Sequence, residues 1–199
     1  MNKPTFTFEQ LTPAAQAKAL DVSRDINTSD EYWYESLNES TLVPFLELLG
    51  FENVKIFFSL GYCQGDYAEL NTARFHYSKG FVKKLKAEFP QWEAAHALAE
   101  RLQDICKRYF YGYSFSLSNG RTCDFEHKRL GSDWHHDISP FESEIDDFMS
   151  DLNSMLYNAY RDENDALTSD ENVKQYLIDE EYKFFADGSN KYTVYSNAA

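Results

Sequence analysis

The chain has 199 residues, 43% of them apolar and 17% aromatic, with 8 glycines and 5 prolines. That composition excludes disorder, collagen-like repeats and a disulfide mini-scaffold, and predicts a single compact domain over residues 1–199. Acidic residues number 33 against 19 basic, a net charge of −14, so the chain as a whole repels polyphosphate and generic DNA or RNA binding is disfavoured.

The first residues, MNKPTFTFEQLTPAAQ, lack a basic segment followed by a continuous apolar one, and no run approaches the roughly 18 apolar residues of a membrane span. A cytoplasmic protein without membrane segments is expected. Thr12 before Pro13 suits an N-cap and first turn, predicting a short helix from Ala14 to about Val22. Thr28 and Glu31 have capping-box spacing, which places a second helix start near Ser29. Pro44 predicts a break near Ser40, then further turns through Phe45, Leu48 and Leu49, and a stop at Gly50. If Tyr32, Trp33 and Tyr34 are helical, at least one ring is exposed.

Val54 to Leu60 and Tyr67 to Tyr77 read as a hairpin about the turn Cys63-Gln64-Gly65-Asp66. Phe81 to Phe89 is a short basic amphipathic segment, with Lys79, Lys83, Lys84 and Lys86 on a solvated face. After Pro90, Trp92, Ala95, Leu98, Leu102, Ile105 and Tyr109 recur at helical spacing. Asn119-Gly120 between two alternating segments predicts a second hairpin with a two-residue turn. Ile145, Phe148, Met149, Leu152, Met155 and Leu156 form one apolar stripe, giving a long helix over about Pro140 to Tyr160. Thr168 and Glu171 again fit a capping box ahead of a last helix through Val173, Leu177 and Ile178, with a terminal strand or hairpin beyond. The fold class is α+β: antiparallel hairpins at about 54–77 and 111–127 packed with about six helices, without repeated β-α-β units.

Charge is unevenly distributed. Residues 137–187 carry 15 acids and 3 bases, a net of −12, against −2 for the other 148 residues. At about 100° per residue, Glu144, Asp147 and Asp151 share one stripe of the long helix, with neighbours roughly 4.5 to 6 Å apart, a spacing of the order of phosphates along a nucleic-acid strand. With Asp162, Glu163 and Asp165 they are the candidate contacts to a basic partner. A solvated acidic face that keeps the protein soluble is the plainer alternative.

Other chemistry is less supported. His127, Asp133, His135, His136 and Asp137 form the densest His/Asp cluster, which with Asp66 offers an alternative metal-dependent hydrolase or nuclease. Adjacent His135 and His136 point to opposite faces in a strand, and no H-E-x-x-H occurs. Asp66 and His76 lie on one hairpin and form a candidate acid-base pair. RDENDALTSDE lacks EF-hand register, and no P-loop, G-x-G-x-x-G or G-x-S-x-G is present. No metal or other cofactor is expected. Cys63, Cys106 and Cys123 are odd in number with no C-x-x-C pair, so reduced thiols are expected.

Several short stretches, taken in order, resemble a group of small proteins of tailed phages and prophages. They are Trp33, Gly50-Phe51, Ile56, Phe58-Ser59, Gln64-Gly65-Asp66 with Ala68, Leu167-Thr168-Ser169-Asp170-Glu171, Val173, Glu181-Tyr182, Phe184 and Asp187-Gly188. Two positions depart from the group's pattern: Leu60-Gly61 replaces a simpler Ser-Gly-Phe, and Tyr67 stands where a second glycine is usual. The resemblance supplies no catalytic residues. It implies a phage interaction protein, sometimes labelled as the N-terminal part of a toxin-antitoxin stability antitoxin. The resulting expectation is a non-enzymatic acidic inhibitor of a host nucleic-acid-binding defence complex, of anti-CRISPR or anti-restriction type. The partner is then a basic protein or nucleoprotein, with no direct nucleic-acid or membrane contact. An antitoxin neutralising a basic toxin is the further alternative.

Overall fold

A computed structural model describes residues 4–61, 63–127 and 138–190. The chain is α+β, and its contacts divide it into two compact units: a central unit, Ser36–Arg161, and a terminal unit built from Met1–Glu35 and Asp162–Ala199.

In the terminal unit, a two-residue strand β1 (Phe6–Thr7) pairs antiparallel with the last strand, Lys183–Phe184, with Phe6 opposite Phe184. Two residues are too few for alternation to announce β1 in the sequence. A short 3₁₀ turn, Phe8–Gln10, leads to α1 (Pro13–Val22), whose Thr12 N-cap hydroxyl accepts from the Ala15 N–H. That is the expected cap. Phe8, Leu11, Ala15 and Ala19 pack with Val173, Leu177 and Phe184 in a core of the unit's own.

The second helix departs from expectation at its start and its middle. Residues 23–29 form turns, and α2 (Tyr32–Leu37) begins where the Asp30 carboxylate accepts from the Tyr32 N–H. Thr28 instead donates its hydroxyl to the Asp25 carbonyl, so the capping-box reading fails because a nearer Asx cap wins. The chain continues through a π-helical turn, Asn38–Leu42, into α3 (Val43–Leu49) without a break. Val43 donates to Asn38, five residues back. A widened turn accommodates Pro44, which has no N–H and crowds the preceding turn. The helix ends at Gly50 in the left-handed conformation, as expected. Tyr32 is the ring left exposed, at 74%.

The central unit is organised around a four-stranded antiparallel sheet whose strands lie side by side in chain order. Strands β2 (Phe51–Ser59) and β3 (Tyr67–His76) form the first hairpin, and β4 (Tyr113–Ser118) and β5 (Arg121–His127) the second. Asn119 and Gly120 both have positive φ, 52° and 71°, the geometry of the predicted turn. Phe75 lies opposite Phe115 in the β3–β4 ladder, their rings stacked at 4.9 Å. Helices α4 (Phe81–Glu88) and α5 (Glu93–Arg108) follow the hairpin, with Leu98, Leu102 and Ile105 buried.

Helix α6 (Ser139–Leu167) buries Phe141, Ile145, Phe148, Leu152 and Leu156 within the central unit. It runs seven residues past the expected end at Tyr160, because Arg161, Glu163 and Ala166 are good helix formers and its last carbonyls find donors. Asn27 Nδ2 donates to Leu167 and Arg24 to Thr168. Helix α7 (Asp170–Asp179) is capped by Ser169, whose hydroxyl accepts from the Asn172 N–H. Thr168, the expected cap, is one residue early and donates its hydroxyl to Asn164. Strand β6 (Lys183–Phe184) closes the terminal unit.

Candidate interaction surface

The six acidic residues singled out in the sequence fall in two units and are taken separately. Glu144, Asp147 and Asp151 lie on the central part of α6. They do not form a bare carboxylate row. Arg108 of α5 donates to Glu144 and Arg101 of α5 to Asp151, both as ion pairs. Two arginines seven residues apart thus meet two carboxylates seven residues apart, in reversed order. A seven-residue step is close to two helical turns, so this is the ladder two antiparallel helices make.

Glu144 also accepts from the Tyr109 hydroxyl at 3.1 Å. The Arg108 hydrogen bond, ahead of the Tyr109 one, holds its carboxyl below the usual carboxylate range, while partial burial works against this. Asp146 is likewise engaged, accepting from the Thr122 hydroxyl at 2.5 Å. Asp147 alone of the three makes no hydrogen bond or ion pair among the described residues. The pairing signal was present in the sequence as the spacing of Arg101 and Arg108, but carries meaning only once α5 and α6 are known to run side by side.

Asp162, Glu163 and Asp165 lie in the last turns of α6, within the terminal unit. Asp162 and Asp165 are exposed and Glu163 half-buried. No basic side chain stands in that last turn to balance the helix dipole. The terminal unit as a whole has 15 acids and 6 bases in 73 residues, a net of −9. The central unit has 18 acids and 13 bases in 126 residues, a net of −5. The excess therefore follows the fold rather than the C-terminal quarter alone, because the N-terminal segment adds Asp21, Asp25 and Asp30 to the same unit.

Gln64, Gly65 and Asp66 form a turn whose geometry assigns Asp66 a structural task. Its carboxylate accepts from the Gly61 N–H at 2.7 Å and the Cys63 N–H at 3.1 Å, closing the loop between β2 and β3. His76 ends β3 while Asp66 precedes it, so about ten residues of strand, roughly 30 Å, separate the two and they make no acid-base pair. His127 ends β5 and its ring packs edge-on against Tyr113. Asp133, His135, His136 and Asp137 lie outside the described residues. Among the described residues no three His, Cys, Asp or Glu side chains are placed to hold a metal ion, and no helix is long and apolar enough to cross a membrane. Cys63, Cys106 and Cys123 are not joined in disulfides. Of the lysines near α4, Lys86 pairs with Glu100 at 2.5 Å.

Much of the remaining pattern serves the fold: Phe58 stacks on Tyr160 at 4.1 Å, Val173 and Phe184 are core, and Asp187 binds Lys18 at 2.7 Å. No curated protein matches the chain, and no solved structure does. A model of a domain of unknown function, DUF8835, matches residues 15–170, and the chain belongs to that family.

Proposed function

We propose that this chain is an acidic, phage- or prophage-type interaction protein that docks on a positively charged, nucleic-acid-binding face of a host defence complex and blocks it. The observation that carries this reading is the charge of the terminal unit, −9 over 73 residues, with only two of its bases, Lys18 and Arg24, in ion pairs among the described residues. Such a field accelerates encounter with a basic surface and makes the complex sensitive to salt. The contacts are carried by Asp162, Glu163 and Asp165 together with the other acids of that unit. Glu144 and Asp151, paired with Arg108 and Arg101, belong to the central unit, whose net charge is smaller, and take second place.

The test is a mobility-shift competition in which CRISPR effectors and restriction enzymes bind their own target DNA with and without the purified chain. Loss of DNA binding for at least one effector is expected, weakening as salt rises. Asp162→Lys, Glu163→Lys and Asp165→Lys combined abolish it, whereas Glu144→Gln with Asp151→Asn leaves it. Unchanged inhibition by the triple reversal, or no effector inhibited at all, overturns the proposal.

A further inference from the structure

Although acids outnumber bases across the chain, its two longest stretches without an acid, residues 70–87 and 105–123, carry five and three bases. The fold brings these stretches side by side. Ala73 lies opposite Leu117 and His76 opposite Ser114 in the β3–β4 ladder. Just beyond it the Tyr77 ring packs 4.5 Å from that of Tyr111 and 6.0 Å from that of Phe81, so the start of α4 and the end of α5 meet at one end of the central unit. Lys79, Lys83, Lys84 and Lys107 stand there, all exposed, and none makes an ion pair or side-chain hydrogen bond among the described residues. Of the acids nearby on α5 and α6, Glu144 is taken by Arg108 and Asp104 is exposed one turn before Arg108.

A second observation is independent of charge. Helix α5 ends in a Schellman turn, in which the Phe110 N–H bonds to the Lys107 carbonyl and the Tyr111 N–H to the Cys106 carbonyl. Glycine is the usual residue at the position Phe110 fills, because φ there is positive, +55° here. Tyr111 follows at +56°. Phe110 is nevertheless 90% exposed, so its ring contributes almost no burial in return. An aromatic side chain held in the left-handed region and turned to water costs stability on both counts. Local rules broken in this way are expected where a residue is kept for binding. The Tyr111 ring, half-covered by Tyr77, extends the same apolar surface.

We infer that this end of the central unit binds a single strand of nucleic acid, with a nucleobase stacked on the Phe110 ring and phosphates on Lys79, Lys83, Lys84 and Lys107. Rings with open faces beside unpaired cations are the parts from which single-strand sites are built. A net charge of −14 opposes a duplex laid across the molecule, whereas a few nucleotides need only a local patch. An acidic peptide would satisfy the lysines and leave the ring without a role. The inference stands apart from the function proposed above, which uses the acidic unit.

The experiment is a fluorescence-anisotropy titration of the full chain into a labelled oligothymidylate of about twelve nucleotides, beginning at about 50 mM salt. Saturable binding is expected, weakening as salt rises with a log–log slope of about −2 to −3, as for three or four phosphates at about 0.7 each. Phe110→Ala, and separately an abasic strand of the same length, weaken binding about fivefold or more because stacking is lost. Lys83→Gln with Lys84→Gln makes the slope shallower by about 1.4. Phe110→Gly loses affinity as alanine does while raising the urea midpoint, which separates loss of binding from loss of fold. No binding at about 50 mM salt, equal binding of the abasic strand, indifference to Phe110→Ala, or a lower urea midpoint for Phe110→Gly overturns the inference. Displacement by poly-glutamate as readily as by unlabelled oligothymidylate overturns the choice of nucleic acid.

Discussion

The two units carry their acidity differently. In the central unit four carboxylates carry cations among the described residues: Asp151 has Arg101, Glu144 has Arg108, Glu100 has Lys86 and Glu126 has Arg74. In the terminal unit Lys18 and Arg24 meet Asp187 and Asp170, and Asp21, Asp25, Glu180 and Glu181 are left to solvent. Exposed pairs of this kind add little stability, so the difference lies in the potential each unit presents rather than in how firmly it folds. A run of acids in a sequence is therefore no measure of a negative surface; the helix beside it decides.

The comparison holds only if each unit is a packed body, and the largest effects test that. Phe148, fully buried in the central unit, is expected to cost about 3–5 kcal/mol when replaced by alanine, measured by urea denaturation. In the terminal unit the corresponding probe is Gly188→Ala. Gly188 has φ +83°, and a Cβ there collides with the Ala15 carbonyl oxygen and comes within 2.9 Å of its carbon. Left-handed strain and collision with helix backbone together cost about 2–4 kcal/mol. A loss below about 1 kcal/mol means that the contact between the 185–190 turn and α1 is not made.

Much of this architecture is legible in the sequence. Thr12-Pro13, Gly50, Asn119-Gly120 and the stripe from Ile145 to Leu156 give boundaries and faces because their signals are local. The failures share a cause. Thr28 and Thr168 have the right spacing to cap helices, but Asp30 and Ser169 stand closer and take the N–H groups. The π turn at Asn38–Leu42 absorbs Pro44 in a helix whose interior packing at Leu42 and Phe45 favours continuation. The Arg101–Asp151 and Arg108–Glu144 ladder requires knowing that two helices separated by a hairpin lie side by side.

Acid titration sharpens the charge comparison at smaller scale. Lys18, with help from the Ser189 hydroxyl and N–H, holds the Asp187 carboxyl far below the usual range, and Arg108 holds that of Glu144 below it. A depressed carboxylate stabilises the fold above its unfolded value, about 4, and that contribution disappears as pH falls through the folded value. Asp187→Asn and Glu144→Gln should therefore lower the urea midpoint at pH 7, Glu144→Gln by no more than about 1 kcal/mol, and the gap to the parent should close progressively below pH 4. A gap that persists undiminished to pH 2 means that the pairs are not what the substitutions removed.

The smallest effect has the opposite sign. Glu181 follows α7 with φ +49°, and the Tyr182 N–H bonds back to Leu177, a helix ending in which glycine is the usual residue at this position. Holding a side chain in the left-handed region costs about 1–2 kcal/mol, whereas glycine there loses about 0.5–1 kcal/mol more backbone freedom on folding. Glu181→Gly should then stabilise the protein by about 0.5 kcal/mol, read as a higher urea midpoint. An unchanged or lower midpoint means that the Glu181 side chain makes a contact worth more than the strain of its backbone.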